Sequence, residues 1–341
     1  MRVVISGSFI DYELQFGNFI SKLSDVLLVL PKYELPGEFY KLINSKVNYY
    51  IFKGAKPKNI FGKIPKLIDL LIAIHHFKPD VVHLQLGGDI ADFSIFMYSR
   101  IFRIKTIITC HDVKPHKGEH YNFAFKFRLY IMRTFSNAII VHGEKLRQQM
   151  IETYRMPPDK VFFVHIGEHE VAPFKLFERS DIKEEKNSIL FFGRIYEYKG
   201  LKYLIKAEPM ITEKIPNCKI VIAGTGENFG EYNILIGDRR QHFVIHNYRI
   251  SYQEGAELFK QCSVVVLPYV EASQSGVVPT AYGFKKPIIA TNVGSIDEIV
   301  DDGKTGLIVP CQDPRALAEA IIKLLNDDEL RKKWGKKGLL S

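Results

Sequence analysis

The sequence predicts an α/β protein of two doubly wound parallel sheets, one in each half of its 341 residues. Three observations predict it. Short β-branched runs alternate with helical spacings through both halves, the pattern of βαβ units whose strands are buried on both faces. A charged stretch without periodicity, GEHEVAPFKLFERSDIKEEKN at 167–187, separates the two series. The length is also more than one core needs and natural for two domains. The boundaries drawn are 1–170 and 171–327. Ligands of such sheets bind beyond the carboxyl ends of the strands, so the expected site is a cleft across which the two sheets face each other.

In the first half, strands at 3–6 and 26–30 bracket a short helix. Residues 53–66, KGAKPKNIFGKIPK, set five lysines among Gly and Pro and read as a cationic loop. Helical spacing at 66–77 gives way to a strand at 81–86. A helix at 90–102 leads to a strand at 105–109, which ends at Cys110-His111-Asp112. Then come an aromatic-rich helix at 121–135, a strand at 138–141, a helix at 144–154 and a strand at 161–165.

In the second half, strand 188–192 leads through the turn GRIYEYKG to a helix at 201–211. Strand 219–223 leads through GTGENF to a helix near 232–236, and strand 243–246 to a helix at 253–261. The stretch 264–294, VVVLPYVEASQSGVVPTAYGFKKPIIATNVG, organises the rest. Its first strand ends at Pro268. Glu271, Ser273, Gln274, Ser275 and Gly276 fill a loop, a helix starts near 276–279, and a buried strand begins at Ile288. Small residues feeding a helix start gather backbone N–H groups and the positive dipole end, a seat for an anion, with Glu271 beside it. A helix at 296–300, the turn DDGKTG, strand 307–309 and helix 314–326 complete the series.

Apolar residues at 46% and charged residues at 25% are those of an ordinary globular protein, not of a disordered or membrane-spanning chain. No apolar run approaches the roughly 20 residues of a membrane span, and Met1-Arg2 leads straight into VVIS, so neither a span nor a signal peptide is expected. Cys110, Cys218, Cys262 and Cys311 form no CxxC pair, which argues against structural zinc and disulfides and suits a reducing, cytoplasmic compartment. The net charge of +9 is uneven: residues 1–170 hold 23 Lys+Arg against 16 Asp+Glu, the remainder 24 against 22. The basic first half favours an anionic partner. A role in binding nucleic acid rests on that charge alone and is not expected.

His111, the Gly193-Arg194…Lys199-Gly200 turn, the loop from Gly224 to Glu227, and the loop 271–276 each follow a strand, so they converge on the strand ends. Two fixed cations beside a helix start make a site for a diphosphate. GxGxxG is missing after the first strand, so a dinucleotide fingerprint is absent.

On these residues the segment 191–313 resembles the donor-binding domain of retaining family-4 glycosyltransferases of GT-B fold. FFGRIYEYKGLKYLI, VIAGTGEN, the 264–294 stretch and EIVDDGKTGLIVP match in order and spacing. The resemblance of the first half rests on DVVHLQ, TCHDVKPH and VHGEKLRQQM. It implies an acceptor-binding domain at 1–170, a donor-binding domain at 171–327 and a short helix in 328–341 returning toward the N-terminal domain. It implies a nucleotide-diphospho-sugar co-substrate, no cofactor and no metal; the sequence has no Asp-x-Asp for one. Arg194 and Lys199 match the family's diphosphate-binding pair, and Glu271 the first Glu of its Glu-(seven residues)-Glu motif. Ser275, Gly276 and Val277, with Ser273 and Gln274 before them, match the loop whose amides meet sugar and phosphate. Asn247, Tyr248, Arg249 and Ile250 match the base-reading stretch, Gly193 and Gly224 lie at the donor-side turns, and His111 matches a histidine facing the donor sugar.

Two departures stand out. The second Glu falls at Pro279 by count and at Thr280 by alignment on Ala281 and Lys286-Pro287. Thr280 offers one hydroxyl where a carboxylate accepts two hydrogen bonds from the ribose. The usual Gly-Gly loop after the first strand is replaced by GSFIDYELQFGN, which leaves Gly7 and Gly17 as the nearby glycines. The implied function is a hexosyltransferase acting on a glycan, polysaccharide or lipid-linked acceptor. The rivals are a nucleotide-sugar epimerase of the same fold and a nucleotide-sugar-binding protein without turnover. His116 is a candidate acceptor contact. The helix FAFKFRLYIMRTF at 123–135 is either a core helix or a membrane-surface helix. With the 53–66 lysines it points to peripheral contact between the N-terminal domain and anionic lipid.

Overall fold

A computed structural model describes residues 1–7, 10–31, 37–52, 64–85, 90–114, 123–165 and 172–339. The chain forms two compact units with the break after Val164, a few residues before the boundary at 170 drawn from sequence. His116 and most of the 53–66 lysine stretch lie outside the described residues.

Unit 1 runs β1 (Arg2–Ser6), α1 (Ile10–Ile20), β2 (Asp25–Pro31), β3 (Val47–Phe52), α2 (Ile64–Phe77), β4 (Val81–Leu84), α3 (Ile90–Ile101), β5 (Lys105–Thr109), α4 (Phe123–Phe135), β6 (Ala138–Val141), α5 (Glu144–Tyr154) and β7 (Val161–Phe163). Its seven strands lie in the order β3-β2-β1-β4-β5-β6-β7, all parallel. β3 has no counterpart in the sequence reading. It is an edge strand, and only Val47 and Phe52 of VNYYIF are buried, so its pattern has no apolar alternation. The two glycines of the altered first loop serve packing. A Cβ on Gly7 would lie 2.3 Å from Glu13 Oε1, and one on Gly17 would lie 2.6 Å from Leu28 Cδ2, where α1 crosses β2.

Unit 2 runs α6 (Ala172–Lys175), β8 (Ser188–Phe192), α7 (Leu201–Lys214), β9 (Lys219–Gly224), α8 (Gly230–Ile236), β10 (Phe243–Asn247), α9 (Tyr252–Gln261), β11 (Val264–Leu267), α10 (Val277–Gly283), β12 (Ile288–Thr291), β13 (Gly306–Val309), α11 (Pro314–Leu325) and α12 (Asp328–Gly338). The helix expected at 296–300 is a single 3-10 turn, Ile296–Glu298. The six parallel strands are ordered β10-β9-β8-β11-β12-β13. Both faces are covered. Ile189, Ile222 and Val266 point into one core with α7 and α11, while Leu190, Val221 and Val265 point into another with α9 and α10. That is why these strands read as unbroken apolar runs rather than alternating ones. Ser251 caps α9 by accepting from Glu254 N (3.1 Å), and Asp313 caps α11 by accepting from Arg315 N and Ala316 N (3.0 Å each).

Residues 328–338 form α12, which packs against α10 and α11 of unit 2. Arg331 fixes it there. Its guanidinium donates to the carbonyls of Leu324 and Leu325, both at 2.9 Å, and so closes the end of α11. Trp334 is buried in the unit 2 core, and the Lys285 carbonyl comes so near Gly335 that a Cβ would lie 1.9 Å from it.

Candidate functional site

In unit 2 the strand order reverses between β8 and β11, because the chain steps from β8 outward to β9 and β10 and then returns to β11 on the other side. The loops leaving β8 and β11 therefore diverge at the sheet's topological switch point, where open α/β sheets hold their ligands. Hydrogen bonds join these two loops. The Tyr198 carbonyl accepts from Val270 N (2.8 Å) and Glu271 N (3.3 Å). The β8 exit is also paired with the β9 exit. Ile195 N donates to Thr225 O (3.0 Å), Glu227 N donates to Ile195 O (2.8 Å), and Gly224 lies so close that a Cβ on it would be 1.7 Å from the Gly193 carbonyl oxygen.

This framework brings Lys199 to Tyr269, a fully buried side chain just past the end of β11. Lys199 Nζ lies 3.7 Å from the centroid of its ring, a cation held on an aromatic face. Burial pushes the Tyr269 hydroxyl up to about 12; its hydrogen bond with Ser275 and the charge of Arg194 pull the other way. The Tyr269 and Ser275 hydroxyls are 3.2 Å apart. Arg194 is exposed beside Tyr196 and has no carboxylate partner among the described residues. Tyr269 has no place in the sequence reading. Its signal is an aromatic directly after the strand-ending Pro268.

The loop residues separate into two groups. Glu271, Gln274, Gly276 and Val277 are half-buried, whereas Ser273 and Ser275 are buried. Ser275 Oγ accepts from Val277 N at 3.3 Å, so one of the amides expected to seat an anion already has a partner within the protein. Thr280 is buried, and its hydroxyl donates to the Gly276 carbonyl at 2.8 Å, one turn back in α10. At the edge of the sheet, Asn247 pairs in register with Gly224. Tyr248 and Arg249 are exposed and Ile250 is half-buried beyond it. The Tyr248 hydroxyl donates to Glu254 Oε1 at 2.6 Å.

Family models match almost the whole length: Glycosyltransferase Family 4 over residues 23–167 and Glycosyl transferases group 1 over 174–340. The chain belongs to the family-4 glycosyltransferases of GT-B fold. The capsular polysaccharide biosynthesis glycosyltransferase CapM of Staphylococcus aureus is 28% identical over 298 residues, 82% of this chain and 76% of CapM. The alpha-D-kanosaminyltransferase of Streptomyces kanamyceticus is 24% identical over 266 residues, 72% and 68% of the two chains. Anabaena HepE, solved with UDP-glucose, superposes with a TM-score of 0.71 over 99% of this glycosyltransferase and 93% of HepE, at 15% identity.

In unit 1 of the glycosyltransferase, His111 lies just beyond the end of β5 in a cluster of rings. Tyr12 meets His111 and His142 edge-on at 5.3 and 5.4 Å, and His111 and His142 are 4.9 Å apart. His83, fully enclosed, shares a 2.7 Å hydrogen bond with the Thr109 hydroxyl and lies against Phe16. The signal for this cluster is a histidine in each of VVHLQ and VHGEK, on or just past the two strands that flank β5. Burial, and then the neighbouring His142, lower the His83 pKa to about 4. His83 therefore folds neutral. Its contribution is complete above the unfolded value near 6.5 and is lost as pH falls from there toward about 4, because the unfolded chain binds the extra proton. Between pH 7 and pH 5 the stability of unit 1 is expected to drop by roughly 2 kcal/mol from this group. Chemical unfolding at the two pH values checks it, with His83→Gln expected to remove most of the difference.

Proposed function

We propose that this glycosyltransferase moves a sugar from a nucleotide-diphospho-sugar to a glycan or lipid-linked acceptor, with retention at the anomeric carbon and without a metal. Arg194 and Lys199 on the one loop that leaves β8, tied through the Tyr198 carbonyl to the Glu271 loop, support this most directly. As the sugar–phosphate bond lengthens, negative charge grows on the departing diphosphate, and two fixed cations meet it without a metal ion. In this reading Glu271, whose amide donates to the Tyr198 carbonyl, meets the positive charge that grows on the sugar ring. The acceptor hydroxyl attacks from the face of the leaving group and gives its proton to the departing phosphate oxygen. His111 bonds the donor's primary hydroxyl. CapM works in capsular polysaccharide biosynthesis and HepE was solved with UDP-glucose, which supports a nucleotide sugar on one side and a growing glycan on the other. We place the reaction in the cytoplasm, at the inner face of the cell membrane, with the basic N-terminal unit meeting anionic lipid.

The first test is a thermal-shift screen of nucleotide diphosphates and nucleotide sugars with Mg²⁺ or with a chelator. At about 100 times its dissociation constant the right donor is expected to add roughly 2.7 kcal/mol, a shift of about 5–10 °C. The shift should be equal with and without metal, and the anomer formed on an acceptor can be read by NMR. Donor binding without transfer would favour a protein that binds nucleotide sugars but does not turn them over, a reading that the engaged Thr280 hydroxyl favours.

A further inference from the structure

A helix on the outside of an α/β sheet normally buries one apolar stripe and shows water a polar face. α2 and α3 depart from this. Each buries its own stripe, Leu70 and Ile74 on α2 and Ala91 and Ile95 on α3. Each then carries a second apolar stripe: Ile64, Ile68 and Ile72 on α2, and Phe93, Met97 and Ile101 on α3. Steps of four residues put the members of each stripe on one face. All six side chains are 43–70% exposed. The helices are neighbours, and between them lies a groove of about 630 Å³ with scarcely any polar lining.

The surface continues onto α4. Phe96 and Phe135 meet ring to ring at 6.1 Å, and the Arg100 guanidinium lies over Phe135 at 5.2 Å. α4 exposes Phe127 and Tyr130 between Lys126 and Arg133. Across α2, α3 and α4 the only exposed acid among the described residues is Asp69, against exposed Arg100, Lys126 and Arg133, with Arg103 and Lys105 just beyond α3.

We infer that the α2–α3 groove, with the cationic edge running onto α4, is the face by which this enzyme lies on an anionic lipid bilayer. The inference rests on the membrane reading above and gives it a place. Ile, Phe and Met flanked by Arg and Lys is the composition of helices that lie in the bilayer interface, apolar side down and cations at the headgroups. The charge also argues against a second copy as occupant, because a two-fold interface would set these cations against themselves.

The experiment is co-sedimentation of the full chain with vesicles of phosphatidylcholine alone and of phosphatidylcholine with phosphatidylglycerol. The native chain is expected to bind the second and hardly the first. Ile72→Glu with Met97→Glu should weaken that binding by at least about tenfold, the equivalent of losing one buried isoleucine side chain. Melting temperature and turnover on a soluble acceptor should not change, since both positions are exposed. Should the Glu pair fail to fold, Ile72→Ser with Met97→Ser carries the same test. No binding of the native chain to anionic vesicles would end the membrane reading itself. Undiminished binding of a folded Ile72/Met97 variant would end only the assignment to this groove. A native dimer that light scattering shows turning monomeric in the variant would make the groove a self-interface and overturn the proposal.

Discussion

Alanine at Arg194 or at Lys199 is expected to cut kcat/KM for sugar transfer by roughly 100- to 1,000-fold, the range found when one preorganised partner of transition-state charge is removed. The loss should fall mainly on kcat, because the diphosphate gains its charge as the bond breaks, and KM should rise less. The two variants differ in their structural side effects. Arg194 is exposed and pairs with no carboxylate among the described residues, so its removal leaves no buried charge behind, and the melting temperature should stay within about 1–2 °C of native. Lys199 rests on Tyr269 and so also holds the platform that Ser275 shares; a small drop in melting temperature is expected there. Arg194→Lys keeps the charge but loses the planar two-pronged donor, and should recover only part of the rate. Steady-state kinetics with donor varied at fixed acceptor decides the matter. An Arg194→Ala enzyme within about threefold of native kcat/KM would remove the diphosphate from this site.

Arg194, Lys199 and Glu271 are legible in the sequence because βα loops leave strands at fixed places, and a strand such as SILFF or VVVL announces where it ends. Tyr269 is not, because its role is made by packing. Nothing local in Pro268-Tyr269 says that Lys199 will lie on its ring; that follows from the bonds between Tyr198 and the 270–271 amides. Thr280 offers a hydroxyl to a ribose on paper, but in α10 the nearest acceptor is the carbonyl four residues back. The helical spacing of 66–77 is visible, but spacing alone does not say which of its two apolar stripes faces water. Trp334 likewise has to be buried somewhere, and the carbonyls left open at the end of α11 draw Arg331, and α12 with it, onto unit 2.

Gly200→Ala is expected to be among the most damaging single-methyl changes in unit 2, with about 2–4 kcal/mol of stability lost and kcat/KM reduced by roughly 100-fold. Two independent effects add. Gly200 ends the 3-10 turn Glu197–Lys199 at φ 67° and ψ 20°, left-handed backbone that strains alanine by about 1 kcal/mol. Its Cα also abuts the other loop: a Cβ would lie 1.9 Å from the Pro268 carbonyl oxygen, which is backbone and cannot swing aside. The β8 and β11 loops must then part. That separation stretches the bonds from Val270 and Glu271 to the Tyr198 carbonyl and carries Lys199 away from the Tyr269 ring. Displacements near 1 Å are enough to cost about 100-fold when a site works by fixed placement of charge. Gly237 provides the comparison. It also has positive φ, at 53°, but a Cβ there would meet nothing within 4 Å. Gly237→Ala should therefore show backbone strain without a clash, about 1–3 kcal/mol at its φ of 53° and ψ of −135°, with transfer unchanged. Unfolding curves and kinetics on the two alanine variants separate strain from contact. If both lost stability equally and both kept their activity, the junction at Gly200 would not be what holds Lys199 and Glu271 in one site.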